Sequence, residues 1–240
     1  EAAGQGILAG INASLYLQGK EQLILKRDES YIGVLVDDLT TKGTNEPYRM
    51  MTSRAEFRLI LRQDNADQRL TEIGRRVGLV DDTRYKVFKT KMNKIAKLKE
   101  EIKKSIKPTA ELKAYLEKIG ETAPAQSISL EALIKRPNVG LVELNKAMKF
   151  VKGYSREVLT AVDIDVKYAG YLTRQMEQVE QSRKLEEKKI PAELDFMKLE
   201  GLRLEAREKL AKIKPLTVGM ASRISGVSPA DITVLLMYLK

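Results

Sequence analysis

The sequence predicts a mainly α-helical protein that ends in a compact helical bundle. Apolar residues recur at spacings of three and four over most of the chain, the period that places them on one helix face. Helix punctuation stands where those stripes begin and stop: Ser129 and Ser155 as N-caps, Gly78 as a left-handed cap, Pro191 as a terminator. Residues 48–62 read as strand or as helix, so the pattern allows a small β element near 48–62.

Residues 1–19 read as a helix with Ile7, Leu8, Ile11 and Leu15 along its apolar stripe. Gly4, Gly6 and Gly10 lower its propensity, which points to another backbone or a ligand at close range. A glycine-rich helix start also turns free N–H groups toward an anion or cofactor; tight helix packing accounts for the same glycines. The run YIGVLVDD ends in Asp37 and Asp38, followed by a turn at Lys42, Gly43 and Thr44. Adjacent aspartates point in different directions in either regular structure, which favours a helix end or polar loop over a metal or general-base pair.

Residues 65–79 read as a helix with Leu70, Ile73 and Val77 inward and Leu79 packing back beyond Gly78. A long helix is expected from Asp82 to about Lys107, with Phe88, Met92, Ile95, Ile102 and Ile106 at heptad-like spacing. Lysines 86, 89, 91, 94, 97, 99, 103 and 104 fill its other faces and read as a solvated surface before a nucleic-acid stripe. Residues 108–127 read as an irregular connection or variable insertion. Ser129 opens a helix, Asn138 starts a short segment through Met148, and Ser155 caps a helix that merges into, or stacks on, the run from Ile164 to Lys188. The stripe of that run is Ile164, Tyr168, Tyr171, Leu172, Met176 and Val179.

Near the end, Leu202, Leu204, Ala206, Leu210 and Ile213 give an amphipathic helix. Ser222, Gly226, Val227, Ile232 and Leu235 then follow a helix-turn-helix pattern. Its second helix opens on Pro229, Ala230 and Asp231, which lack the basic and amide groups that read bases, so an apolar docking platform is expected there and specific DNA binding is not.

Composition narrows the chemistry. The 240 residues carry 43 lysines and arginines against 33 acids, a net charge of +10, which favours polyanionic partners. There is no cysteine and no histidine, which removes disulfides, the usual zinc sites, Ser-His-Asp and Cys-His systems and imidazole catalysis. No catalytic and no metal-ligating residue is assigned. No apolar run approaches the roughly 20 residues of a membrane span and no signal peptide is visible, so a cytoplasmic place is expected. The first residue is glutamate, and the chain reads as a piece of something longer.

Arginine is concentrated in PYRMMTSRAEFRLILRQDNADQRL, where Arg54, Arg58 and Arg62 are four apart. Strand or helix, that spacing puts all three on one side, as a ridge suited to bidentate phosphate contact. Pairing with Glu56, Asp64 and Asp67 in a surface network explains the same pattern.

Four stretches, EAAGQGILAGINASLYL, YIGVLVDDLTTKGTNEPYRMMTSRAEFRLILRQDNADQRLTEIGRRVGLV, VKYAGYLTRQ and TVGMASRISGVSPADITVLLMYLK, resemble the bacterial and organellar tRNA uridine 5-carboxymethylaminomethyl modification enzymes, the GidA or MnmG family. The resemblance covers essentially the whole chain. It implies an FAD-dependent homodimer that works with the GTPase MnmE on the wobble uridine of certain tRNAs, using NADH and a folate one-carbon donor. This chain would then be the C-terminal part, with hydride and one-carbon chemistry upstream. Residues 1–19 would be the last helix of the flavin domain, with Gly4, Gln5 and Gly6 near the cofactor. Residues 20–80 would be an arginine-rich linking region, 81–150 a lysine-rich helix with short helices, and 151–240 a helical partner-docking domain. The resemblance places tRNA at Lys42, Arg49, Arg54, Arg58 and Arg62, and the GTPase at Gly201, Leu202, Ile232, Leu235 and Leu236. An interaction module without RNA affinity and a helix-turn-helix regulator are the rival readings.

Overall fold

The structure, a computed structural model, describes residues 1–41 and 47–239. Among them the order is α1 (Ala2–Leu17), α2 (Tyr31–Thr41), a 3-10 turn (Thr52–Arg54), α3 (Ala66–Arg76), α4 (Asp82–Glu101), β1 (Ser105–Ile106), α5 (Ala110–Lys118), β2 (Ile128–Ser129), α6 (Leu130–Ile134), α7 (Leu141–Met148), α8 (Arg156–Glu187), a second 3-10 turn (Phe196–Lys198), α9 (Leu204–Ile213), α10 (Val218–Ser222) and α11 (Pro229–Tyr238). The predicted helical class holds. Two compact units result: Glu1–Leu61 with Arg174–Lys240, and Arg62–Thr173.

The small β element lies elsewhere than expected. Ser105 pairs with Ser129 and Ile106 with Ile128, antiparallel, inside the Arg62–Thr173 unit. The described part of residues 48–62 holds a 3-10 turn and irregular backbone. Alternation alone failed there because Ala55, Phe57 and Leu61 are buried anchors of a bent segment, with no partner strand among the described residues to extend it.

In the Arg62–Thr173 unit, Ile95, Leu98, Ile102, Leu112, Leu116, Leu130, Leu133, Leu141, Leu144 and Val162 form the core. Residues 108–127 are no loose insertion. Thr109 accepts a hydrogen bond from the Leu112 N–H and starts α5, whose Leu112 and Leu116 are fully buried. Helix α4 ends at Glu101, short of Lys107, because the chain turns there into β1 and Pro108 follows. Lys91 is no surface lysine: 12% exposed, its ammonium sits 2.6 Å from Asp67 and also pairs with Glu157. Gly78 adopts φ +85° as expected of a left-handed cap. Leu79, expected to pack back, is 53% exposed; Val80 is buried instead and closes on Gly74.

Ser129 and Ser155 cap as expected, accepting from the Ala132 and Val158 N–H groups. Helix α8 is one continuous element. Its expected stripe is only partly buried: Val179 is inside, whereas Tyr168, Tyr171 and Met176 are exposed.

In the other unit, α1 is tied to the chain beyond it by Asn12, whose amide exchanges both hydrogen bonds with the Leu23 backbone. Gly33 sits in α2 where a Cβ would lie 2.3 Å from the Lys26 carbonyl oxygen, so only glycine fits. Residues Ile190, Phe196, Leu202, Leu210, Val218, Ile232 and Leu235 form a separate core cluster under α9, α10 and α11. Ser228 and Asp231 cap α11 reciprocally, and Pro229 occupies its first turn.

Asp231 is 2% exposed and also receives Arg203 through Nε and Nη2 at 3.1 and 2.7 Å. The Arg203 and Ser228 hydrogen bonds outweigh burial and hold its carboxyl well below the usual carboxylate range. A depressed carboxyl means that the unfolded chain binds more protons. Its contribution is therefore complete above about pH 4 and is lost as the pH falls further. Urea midpoints followed from neutral pH to about pH 3 should show this loss in the parent, and Asp231→Asn should be less stable at neutral pH and flatter below it.

Candidate nucleic-acid interface

The arginine-rich segment is held by an arginine that precedes it. Arg27, 8% exposed, donates through Nε and Nη2 to the two Glu56 carboxylate oxygens at 3.2 and 2.8 Å. Its Nη1 lies 2.8 Å from both Asp37 and Asp38, and Nη2 donates to the Arg54 carbonyl at 3.2 Å. Every N–H of the guanidinium is thus engaged. Burial works against this charge, but the Glu56 and Asp38 hydrogen bonds more than compensate and keep the guanidinium above its ordinary value. The adjacent aspartates, expected to diverge at a helix end, both reach one cation because Arg27 arrives from outside the helix.

Further contacts extend this network within the same unit. Tyr48 donates to Asp38 at 2.9 Å, and burial with that carboxylate pushes its phenol up to about 12. Asp37 also receives Arg223 Nη2 at 2.9 Å, and Arg223 pairs with Glu186, which accepts from Thr217. Arg183 holds Asp28 through Nε and Nη2 at 2.9 and 2.5 Å. Gln175 of α8 accepts from the Ile60 N–H at 3.0 Å. Residues 54–61 are therefore pinned by buried side chains, ions and a backbone clamp, and they need no regular element to be ordered.

The expected ridge of three arginines does not form, because no strand or helix aligns it. Arg62, 14% exposed, belongs to the Arg62–Thr173 unit and pairs with Asp64 at 3.1 Å and Asp165 at 3.3 Å. Arg54 lies over the Tyr48 ring, 4.5 Å from its centroid, and donates from Nε to the Arg49 carbonyl. Arg49 and Arg58 are exposed, and their guanidinium groups have no partner among the described residues. Lys42 lies outside the described residues. Free cations that face water are the ones able to take a phosphate without first giving up a carboxylate.

The other expected sites look different in space. Gly4 serves packing: a Cβ there would meet Ile32 at 3.3 Å. Gly6 faces open space, and the start of α1 has no side-chain cap. Gln5 and Gly6 are exposed and form no cradle of their own. Leu202, Ile232 and Leu235 are buried in the terminal core; Leu236 is half-buried, and Gly201, at φ +86°, packs near Val234. Apolar residues of a small bundle are used first to anchor its core. Arg27 was missed altogether, since nothing local in KRDES marks it as a hub.

Comparison with known proteins gives this geometry a family. Residues 82–176 match the tRNA modifying enzyme MnmG/GidA C-terminal helical domain, and residues 178–240 its C-terminal helical bundle. The chain is 51% identical to the tRNA uridine 5-carboxymethylaminomethyl modification enzyme MnmG of Caldicellulosiruptor saccharolyticus over 100% of its own length and 38% of that protein. It is 53% identical to the corresponding protein of Clostridium novyi, again over 100% of this chain and 38% of the relative. In structure it superposes on Aquifex aeolicus GidA with a TM-score of 0.79 and 45% identity, covering 99% of this chain and 37% of that one. The chain thus spans well under half the length of these relatives, and with both helical C-terminal modules matched it belongs to the MnmG/GidA family of tRNA-modifying enzymes.

Proposed function

We propose that this chain supplies tRNA-holding surface to an enzyme that modifies the wobble uridine, while the chemistry proceeds elsewhere in the whole protein. The observation that carries the reading is the pinned 54–61 segment carrying Arg58, with Arg49 just before it, both guanidinium groups exposed and unpaired among the described residues. Prepositioned cations contact phosphate at little ordering cost and set register on the RNA backbone. The absence of cysteine and histidine supports a holding role over a reacting one. FAD, reached at Gln5 and Gly6, NADH, a folate donor, homodimerisation and a cytoplasmic place belong to the same proposal for the whole protein. Among the described residues no helix is long and apolar enough to cross a membrane.

The test is a salt titration of unmodified substrate tRNA binding. Arg49→Ala with Arg58→Ala should weaken binding and flatten the salt dependence by about one phosphate equivalent per arginine. Unchanged affinity and slope would remove this segment from the RNA site.

Docking of the GTPase MnmE at the end of the chain is a second proposal, supported by exposed Leu204, Leu216, Met237 and Tyr238 on the terminal helices and their connections. The buried Leu202, Ile232 and Leu235 would build that platform from beneath. Asp231, which would have to read a base in a DNA-binding helix, is consumed by its cap and by Arg203.

A further inference from the structure

Within the Arg62–Thr173 unit, one turn of α8 is exposed on every side. Tyr168, Ala169, Gly170 and Tyr171 all face water, although the helical period marks both tyrosines as core. Tyr168 is 40% and Tyr171 61% exposed, with ring centroids 6.4 Å apart and planes inclined by 55°. Neither hydroxyl has a partner among the described residues. A Cβ placed on Gly170 would meet nothing within 4 Å, so this turn of the helix is uncrowded on that side as well.

Charge narrows the class of partner. Residues 62–173 carry 23 lysines and arginines against 15 acids, so +8 of the chain's +10 resides in this unit. Such a field draws polyanions toward it. Along the same helix face the rings are flanked by Ile164, Leu172 and Gln175, a mixture of apolar and polar groups. Paired exposed aromatics within an electropositive unit are the arrangement on which single-stranded nucleic acid stacks its bases.

We propose that Tyr168 and Tyr171 form a stacking platform for an unpaired RNA base, a site additional to the phosphate contacts of Arg49 and Arg58. The inference rests on the reading that this chain holds tRNA. Stacking gains its energy from ring faces and releases no counterions, so it leaves a different signature from an arginine.

The experiment uses the full chain, a fluorescein-labelled short oligouridine and unmodified tRNA. Tyr168→Ala with Tyr171→Ala should weaken oligouridine binding about ten-fold or more, with an unaltered salt slope. Tyr168→Phe with Tyr171→Phe, which keeps both rings, should stay close to the parent. The chain has no tryptophan, so tyrosine emission is read directly, and its quenching by oligouridine should shrink in the alanine variant. Both side chains are largely exposed, so thermal melts should be unchanged. Parent-like oligouridine binding by the alanine variant, while the arginine variants still lose slope, would overturn the platform and leave the tRNA reading standing. Altered self-association with intact RNA binding would make the turn a protein interface and overturn it too. No RNA binding by the parent would sink both readings together.

Discussion

Arg27→Ala should destabilise the unit that contains it by about 3–5 kcal/mol, the cost of removing one member of a buried ion cluster. Asp37, Asp38 and Glu56 all point at this guanidinium, and Asp38 is 1% exposed. Without Arg27, Asp38 loses its guanidinium and retains the Tyr48 hydroxyl as a donor, and the Arg54 carbonyl loses the Arg27 Nη2. Arg27→Lys should recover only part of the loss, because an ammonium offers three donors from one point where the guanidinium spreads five over a fork. Urea denaturation followed by circular dichroism measures both. A change below about 1 kcal/mol for the alanine variant would mean that the cluster is solvated in solution and does not pin the arginine segment.

Leu112→Ala should cost about 2–5 kcal/mol, as for other fully buried leucines. Leu112 shows no exposed surface and packs in one cluster with Ile102, Leu116, Leu130 and Leu133. An irregular surface connection, the reading its sequence suggested, would tolerate the same change almost without effect. The variant therefore decides whether residues 108–127 belong to the core. Denaturant midpoints suffice, with the exposed Lys113→Ala as the neutral control.

What was legible follows the range of the interactions involved. Ser129, Ser155 and Gly78 were read correctly because each acts on backbone groups only a few residues away. The helix-turn-helix pattern of 217–240 was likewise readable, since Gly226 at φ +96° and the Ser228 cap are local events. Helix α5 had the same kind of signal, with Thr109 ahead of Leu112 and Leu116, but Pro108 and Pro124 obscured it. The tyrosines of α8 were misassigned for the opposite reason. Periodicity tells which residues share a face and is silent on whether anything covers it.

The helical class, the caps, the missing thiol and imidazole chemistry and the family were properties of the amino-acid order alone, because propensity, capping and composition need no distant partner. Which arginines are free was decided only in three dimensions. Arg27 meets Glu56, Arg223 meets Asp37 and Arg62 meets Asp165 across long stretches of chain, and a cation's availability to phosphate depends on whether folding has already brought it a carboxylate. Arg49 and Arg58 remain available because folding brings no carboxylate of the described residues to them.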